Sequence, residues 1–281
     1  MARYSFSGHE SFYCKSLWLK KGYDFLLQEY NFNAPDAVAE LGVGKNMVSS
    51  IRYWLKSFGL TIDDKLTEIA HYLFHPKTGK DKYGEDLTTL WLLHYLLIST
   101  NLASIYNLLF LSFQREKREF DKEQLQQFIK RKCDVPEQKN VYNENTINKD
   151  IRVMLQNYVM PNDLKSLEDF SALLINLNLL RMNEEKKYSF NSKSKDDIPS
   201  IIILYALIDI KGNDKTISFD TLLDVSLLFC MPITELISII KNLEKEFPGI
   251  FAYNDNSGVR NVQFLTEIDK LEVLDRYYIE L

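Results

Sequence analysis

The sequence lacks an apolar run long enough to cross a membrane. A membrane-spanning helix needs about 20 consecutive apolar residues, and the longest candidates, residues 87–111 and 200–210, are interrupted by His94, Asn101 and Asp209. The first residues also lack the continuous apolar stretch of a secretory signal. The 281 residues include three cysteines, and none of them forms a Cys-x-x-Cys pair. These absences predict a cytoplasmic protein with no membrane partner.

The motifs of several catalytic classes are also missing. Residues 42–45 (GVGK) resemble part of a phosphate-binding loop, but the full spacing and a preceding strand are absent. No nucleophile elbow or Cys–His arrangement is present. His71 and His75 are four residues apart on a predicted helix, without the glutamate of a zinc-protease motif, so a structural role is favoured for both.

Charge is distributed unevenly along the chain. The net charge is −5, and residues 200–281 contain 13 acidic and 7 basic residues, so the first 199 residues carry a balance of +1. This distribution argues against a protein that coats nucleic acid indiscriminately. A local basic patch remains compatible with DNA binding, because binding depends on the patch and not on the total.

Helical periodicity followed by a hairpin signal occurs three times. We therefore predict a mainly α fold of consecutive winged-helix modules, each a helix-turn-helix plus β-hairpin, around a central helical hub. The predicted modules are an N-terminal one, a central one that includes the hub, and an acidic C-terminal one: 1–80, 81–192 and 193–281. No fixed-period repeat supports an internal duplication.

The predicted elements follow from these patterns. In the first module we expect helices at 16–28, 36–40, 45–58 and 66–74, with a short strand or wing at 59–65. The hub is expected at 87–99 and 102–113. The second module has predicted helices at 122–132, 144–158 and 166–174 and a hairpin around 183–186. The third has helices at 199–210, 219–228 and 234–246, a hairpin turning at 255–258, and a closing helix that ends near 278.

The helix predicted at 45–58 has the strongest functional face. Its apolar residues form one stripe, which leaves well-spaced cations and short polar side chains on the other side. Such a face suits a helix in the major groove, where cations meet phosphate or guanine and short polar groups approach the bases. The predicted DNA contacts are Lys45, Asn46, Ser49, Arg52, Tyr53 and Lys56, with Ser50 and Ser57 beside them. A plain solvated face is the alternative, and the absence of acidic residues from 42 to 61 favours DNA.

Two weaker DNA-contact candidates lie further along the chain. Lys149 and Arg152 share a face with Gln156 on the helix predicted at 144–158, although Asp150 is close by. An ordinary surface is an equal alternative there. Arg260, just past the last hairpin turn, is a candidate wing-tip contact to phosphate, and a solvated turn residue is at least as good an interpretation.

His9 and Glu10 are the candidate catalytic residues. Near Gly8, they offer a general base and a metal ligand for a nuclease. Mg²⁺ or Mn²⁺ would be the cofactor of such an activity, although no complete metal site is evident. The alternative, an N-terminal segment pinned by hydrogen bonds, is favoured by the sequence reasoning.

Several segments resemble one bacterial family. They are FSGHESF at 6–12, WLKKGYD at 18–24, LGVGKNMV at 41–48, IRYW at 51–54, ED at 85–86, LWLLHY at 90–95 and SGVR at 257–260. The resemblance covers nearly the whole chain. The family is a domain of unknown function found in DNA phosphorothioation and phage-defence gene clusters, beside sulfur-transfer and ATPase proteins.

The resemblance implies a role in single-strand phosphorothioate modification, in which the family member engages DNA and nicks one strand so that sulfur can be inserted. It also implies that residues 41–54 face the DNA, and that sulfur-transfer and ATPase proteins are partners. The alternative is a non-catalytic DNA-binding adaptor or regulator whose acidic C-terminal third docks the modification proteins. The metal and the oligomeric state, a homo-oligomer included, stay open.

Overall fold

The computed structural model describes residues 3–161, 171–193, 198–256 and 259–279. They form a mainly helical fold with small antiparallel sheets. The chain divides into two compact units, residues 1–191 and 192–281. The predicted division at residue 80 falls inside the first unit and stays a prediction. In the described ranges, no single helix is both long and apolar enough to cross a membrane.

The first unit begins with three helices, a short hairpin and a further helix. They are α1 (Trp18–Leu27), α2 (Ala37–Leu41), α3 (Lys45–Ser57), β1 (Thr61–Ile62), β2 (Lys65–Leu66) and α4 (Glu68–Phe74). The predicted helices are confirmed to within two residues at each end. The stripe of α3 that contains Val48, Ile51 and Leu55 is buried, and α1 packs against this helix. Burial of this stripe fixes which face of α3 points outward.

The predicted hub is confirmed for its first helix and corrected for its second. α5 (Leu87–Ser99) has eleven of its thirteen residues buried, and Asp86 caps it by accepting a hydrogen bond from the Thr88 N–H. The region predicted as one helix at 102–113 is instead α6 (Ser104–Asn107), a π-helical segment (Leu108–Phe113) and α7 (Gln114–Glu116). The π-helical segment is rich in apolar residues, and its wider turn places four of its six residues in the core.

A second group of elements completes the first unit. They are β3 (Glu119–Phe120), α8 (Lys122–Cys133), α9 (Glu144–Tyr158), β4 (Leu180–Met182) and β5 (Tyr188–Phe190). The strands form an antiparallel sheet in the order β3-β5-β4. The bounds predicted for α9 are confirmed. Of the helix predicted at 166–174, residues 166–170 lie outside the described residues, and residues 171–174 form a bridge to Lys15 and a turn.

As far as its hairpin, the second unit follows the order of helix, strand, two helices and hairpin that the described part of residues 108–190 also has. It contains α10 (Ser200–Lys211), β6 (Thr216–Ser218), α11 (Phe219–Leu228), α12 (Ile233–Glu246), β7 (Phe251–Asn256), β8 (Val259–Phe264) and α13 (Lys270–Ile279). Its sheet has the order β6-β8-β7. The predicted helices and the two hairpin strands are confirmed, while residues 257–258 of the predicted turn lie outside the described residues.

Candidate nucleic-acid interface

The segment at residues 7–11 has an unusual backbone. Ser7, Gly8, Glu10 and Ser11 all have positive φ values, of 73°, 102°, 48° and 65°. For a residue with a Cβ, the left-handed backbone conformation costs about 1–2 kcal/mol of free energy. Such conformations persist only where the surroundings enforce them. Neighbouring elements must therefore hold this segment in place.

Asp150 on α9 holds the segment from one side. Its carboxylate is 3% exposed and accepts hydrogen bonds from the Ser7 N–H, at 2.9 Å, and from His9 Nε2, at 2.8 Å. The other ring nitrogen of His9, Nδ1, accepts from the Ser11 N–H at 3.0 Å. Because Nδ1 accepts, the ring proton lies on Nε2, and both nitrogens of His9 are engaged.

Asn157 provides a second anchor on the same helix. Its side-chain oxygen accepts from the Cys14 N–H at 3.0 Å, and its amide donates to the Tyr106 hydroxyl at 2.6 Å. Asn157 and Asp150 are seven residues apart, so they lie on the same inward face of α9. Both side chains are buried. This face of α9 therefore fixes the N-terminal segment at two points.

Helix α3 holds the segment from the other side. The Ser50 hydroxyl donates to the His9 carbonyl at 3.0 Å, and the His9 ring stacks on Trp54 with centroids 6.4 Å apart. A Cβ on Gly8 would lie 2.5 Å from a Tyr53 ring carbon, so only glycine fits this contact. Burial, and secondarily the nearby Asp150 charge, raise the pKa of Tyr53. Residues 7–11 thus connect α3 with α9.

The outward face of α3 agrees in part with the sequence prediction. Lys45, Asn46, Ser49 and Lys56 are exposed. Ser50 and Ser57 are buried, which corrects their predicted place beside the DNA face. Tyr53 is also less accessible than predicted, because Gly8 packs on its ring.

Arg52 is not the free cation that its position on α3 suggested. Its guanidinium donates to both carboxylate oxygens of Asp64, at 2.8 and 2.5 Å, and to Asn33 Oδ1 at 2.9 Å. Asp64 lies in the turn between β1 and β2. Sequence reasoning missed this partner, because its test for acidic residues ended at residue 61.

A surface cavity of about 350 Å³ lies over this part of α3. It is lined by residues of the N-terminal segment, of α3 and of the β1–β2 hairpin: Gly8, Ser49, Arg52, Tyr53, Lys56, Thr61, Asp63 and Asp64. The cavity therefore brings four of the six predicted contacts of α3 together with Gly8 of the N-terminal segment. Its two cations face two carboxylates, so it is not a purely basic pocket.

The outward face of α9 contains Lys149, Arg152 and Gln156, all exposed. The sequence placed the negative charge of Asp150 close to this face, but its side chain points into the protein toward His9. The face is therefore more basic than the sequence pattern indicated. In the part of the chain that the structure describes, neither Lys149 nor Arg152 forms an ion pair, and the same is true of Lys45 and Lys56 on α3.

Arg260 belongs to the second unit. It lies on β8, where its Nε donates to Asp255 at 3.0 Å across the hairpin and its guanidinium lies 5.3 Å from the Phe219 ring centroid. These contacts fix the side chain while leaving it about half exposed. Its predicted role at a wing tip stays a prediction.

Comparison with protein families gives a match over residues 6–278 to a family described as proteins of unknown function, DUF4007. The chain belongs to this family. No curated protein matches. Two solved structures are similar to it, one of SspB and one of magnesium-bound SspB. Their TM-scores are 0.83 and 0.82, with 27% and 26% identity, over 98% of this chain and 88% of each SspB chain.

The magnesium of that SspB structure raises the question of whether residues here fit such an ion. Among the described residues, no group of three or more His, Cys, Asp or Glu side chains converges on one point. Asp150, the carboxylate nearest the predicted catalytic pair, already accepts from Ser7 and His9. Magnesium requires oxygen ligands in near-octahedral geometry. The described residues around His9 therefore offer no cluster of three such side chains for the ion.

Proposed function

We propose that this protein binds DNA through the outward faces of α3 and α9, here called the α3–α9 surface. Its members are the exposed or half-exposed residues Lys45, Asn46, Ser49, Arg52, Lys56, Lys149, Arg152 and Gln156. The observation that carries the proposal is the link between the two helices. Residues 7–11 bind Asp150 on one helix and pack on Tyr53 of the other. Both helices thus present unpaired cations and are connected by the same segment.

The order of elements supports this assignment. We propose that residues 18–66, residues 108–190 and the second unit are winged-helix modules. In the latter two, a helix, a strand, two helices and a hairpin follow one another. The third helix of such a module enters the major groove. α3, α9 and α12 occupy that position in their modules, so two of the three candidate recognition helices form the α3–α9 surface.

We further propose that the protein acts in a DNA phosphorothioation and phage-defence system. The family match, the likeness to SspB over nearly the whole chain and the SGHE and GVGKNMV motifs support this. Sulfur-transfer and ATPase proteins would be its partners. The acidic second unit, unsuited to DNA, would be the part that contacts them.

Nicking of one DNA strand is the activity that the resemblance implies, with His9 and Glu10 as its candidates. The strained backbone at Glu10 supports a functional role for the segment. Glu10 is exposed. His9 Nδ1 is available as a base only if the Ser11 N–H releases it. The contacts of His9 also suit a residue that positions the segment, as the adaptor alternative requires.

Supercoiled plasmid separates these two functions. We expect the protein to shift plasmid in a gel. Metal-dependent open-circle product, with Mg²⁺ or Mn²⁺, that is lost with a chelator and in Glu10→Gln would establish nicking. Glu10→Gln is the cleaner variant, because His9→Ala also releases Asp150. Intact plasmid from protein that still binds DNA would favour the adaptor. Protein that binds no DNA, alone or with its partners, would contradict the proposal.

A further inference from the structure

A second cavity lies at the end of the α3–α9 surface. It has a volume of about 260 Å³ and opens beside Arg152 and Gln156 of α9. Its floor is buried and apolar, with Leu155 from the same helix, Val159 directly after the helix and the nearly buried Tyr188 from β5. The cavity is therefore continuous with the surface proposed to bind DNA.

The walls of this cavity suit a flat aromatic ligand. They include the ring of Tyr13, two methionines, Met160 and Met182, and Pro161. Aromatic rings and polarisable thioethers make favourable contacts with the face of a planar ring, and methionine adapts its shape to the ligand. Met160 is 47% exposed, so an unshielded apolar side chain stands at the entrance.

The rim of the cavity has the complementary polar groups. Arg152 and Lys122 are exposed cations, and Gln156 offers both a donor and an acceptor. Cations at this position can pair with the phosphates that flank a nucleotide. A glutamine amide can form two hydrogen bonds to the edge of a base. The combination of apolar floor, aromatic wall and basic rim is the chemistry of nucleotide binding.

The size of the cavity limits what it can accept. Pockets for drug-sized ligands span about 300–1,000 Å³, and this cavity lies just below that range. It can hold one base but not a base pair. A base still stacked in a duplex cannot enter a side pocket, so the ligand has to be unpaired or rotated out of the helix.

We propose that this cavity binds a single unpaired base of the DNA strand that lies along α9, and that Tyr13 stacks on it. The inference rests on the proposed DNA binding and adds its substrate class, a duplex with one extrahelical base. Stacking of the base on Tyr13 compensates for the loss of its neighbours in the duplex. An already unpaired base avoids most of the cost of extrusion.

The test compares two labelled duplexes of the same sequence, one fully paired and one with a single bulged base, by fluorescence anisotropy. The wild-type protein is expected to bind the bulged duplex at least about fivefold more tightly, because one stacked base contributes about that factor. Tyr13→Ala is expected to remove the preference and leave affinity for the paired duplex unchanged. Tyr13→Phe should keep the preference for the bulged duplex. Both variants lose the hydroxyl contact to Ser171, but only Tyr13→Ala loses the aromatic ring.

Met160→Ala is the second variant, because a half-exposed side chain can be shortened without opening the core. It should reduce the preference for the bulged duplex by a smaller factor. Iodouracil placed at the bulge should crosslink to Tyr13 under ultraviolet light. Equal affinity for both duplexes, or a preference that survives both Tyr13→Ala and Met160→Ala, would overturn this inference and leave DNA binding intact. Failure to bind either duplex would overturn the proposed function and this inference with it.

Discussion

Removal of the Asp150 carboxylate should loosen the N-terminal segment. Asp150→Ala leaves the N–H of Ser7 and the Nε2–H of His9 without the acceptor that they now share. Each hydrogen bond to a charged acceptor contributes about 1.5–3 kcal/mol, and of the two donors left behind the His9 ring is buried. We therefore expect the first unit to lose about 3–5 kcal/mol of unfolding free energy. Asp150→Asn keeps one acceptor oxygen and should cost about half as much.

Tryptophan fluorescence during urea unfolding measures this loss directly. All three tryptophans, Trp18, Trp54 and Trp91, lie in the first unit. Their signal therefore follows that unit even if the second unfolds separately. Glu137→Ala is the matched control, because it removes an exposed carboxylate from the short turn at Pro136–Gln138, which precedes α9 in the chain. Its effect should stay within about 0.5 kcal/mol.

The same variant should also weaken DNA binding, because the strained residues 7–11 lose the contact that connects them to α9. A loss below about 1 kcal/mol in Asp150→Ala, or a loss equal to that in Glu137→Ala, would refute the reasoning. It would mean that the contacts to α3 hold the segment without help from α9.

Three further predictions concern the α3 side. Gly8→Ala should cost at least about 1 kcal/mol more than Gly42→Ala in urea unfolding, since both glycines have positive φ but only at Gly8 would a Cβ meet the Tyr53 ring. Asp64→Asn should strengthen DNA binding in anisotropy, because Arg52 loses a carboxylate that competes with phosphate; weaker binding would contradict this. The raised pKa of Tyr53 also predicts a dependence of stability on pH. Below about pH 10, the ordinary pKa of tyrosine, the hydroxyl is protonated in the folded and the unfolded state, and its contribution to the unfolding free energy is constant. Above that pH the unfolded state loses the proton first, so the unfolding free energy falls by up to about 1.4 kcal/mol per pH unit. Tyr53→Phe should flatten that alkaline decline, and an unchanged slope would exclude Tyr53 as its cause.

Local periodicity was sufficient for most helices. α5, α9 and α11 have the predicted bounds, because each has an apolar pattern long enough to define a helix and a clear boundary residue. The strands β3 and β6 were missed. Each is two or three residues long and is defined by pairing with residues far along the chain, such as Phe120 with Tyr188. Such pairing leaves no local pattern.

The candidate interface was predicted less completely than the fold. The exposed cations of α3 and α9 follow from helical spacing, whereas the contacts of Asp150 with residues 7 and 9 span more than 140 positions. One signal could have found them. Asp150 and Asn157 lie among the inward apolar residues of α9, and a polar side chain on such a stripe requires a buried partner. Arg52 shows a different limit. Its partner Asp64 is only twelve residues away, but it lies in the β1–β2 turn, where the helical periodicity of α3 does not extend.

The central claim is that the α3–α9 surface binds DNA, and the salt dependence of duplex binding tests it most directly. Each phosphate contact contributes about 0.9 to the slope of log affinity against log salt concentration. Lys56→Ala combined with Arg152→Ala removes one unpaired cation from each helix and should reduce the slope by about 2. The matched control, Lys77→Ala with Lys82→Ala, removes two exposed cations from the loop after α4 and should leave it unchanged. An unchanged slope in the first double variant, or an equal decrease in both, would contradict the account.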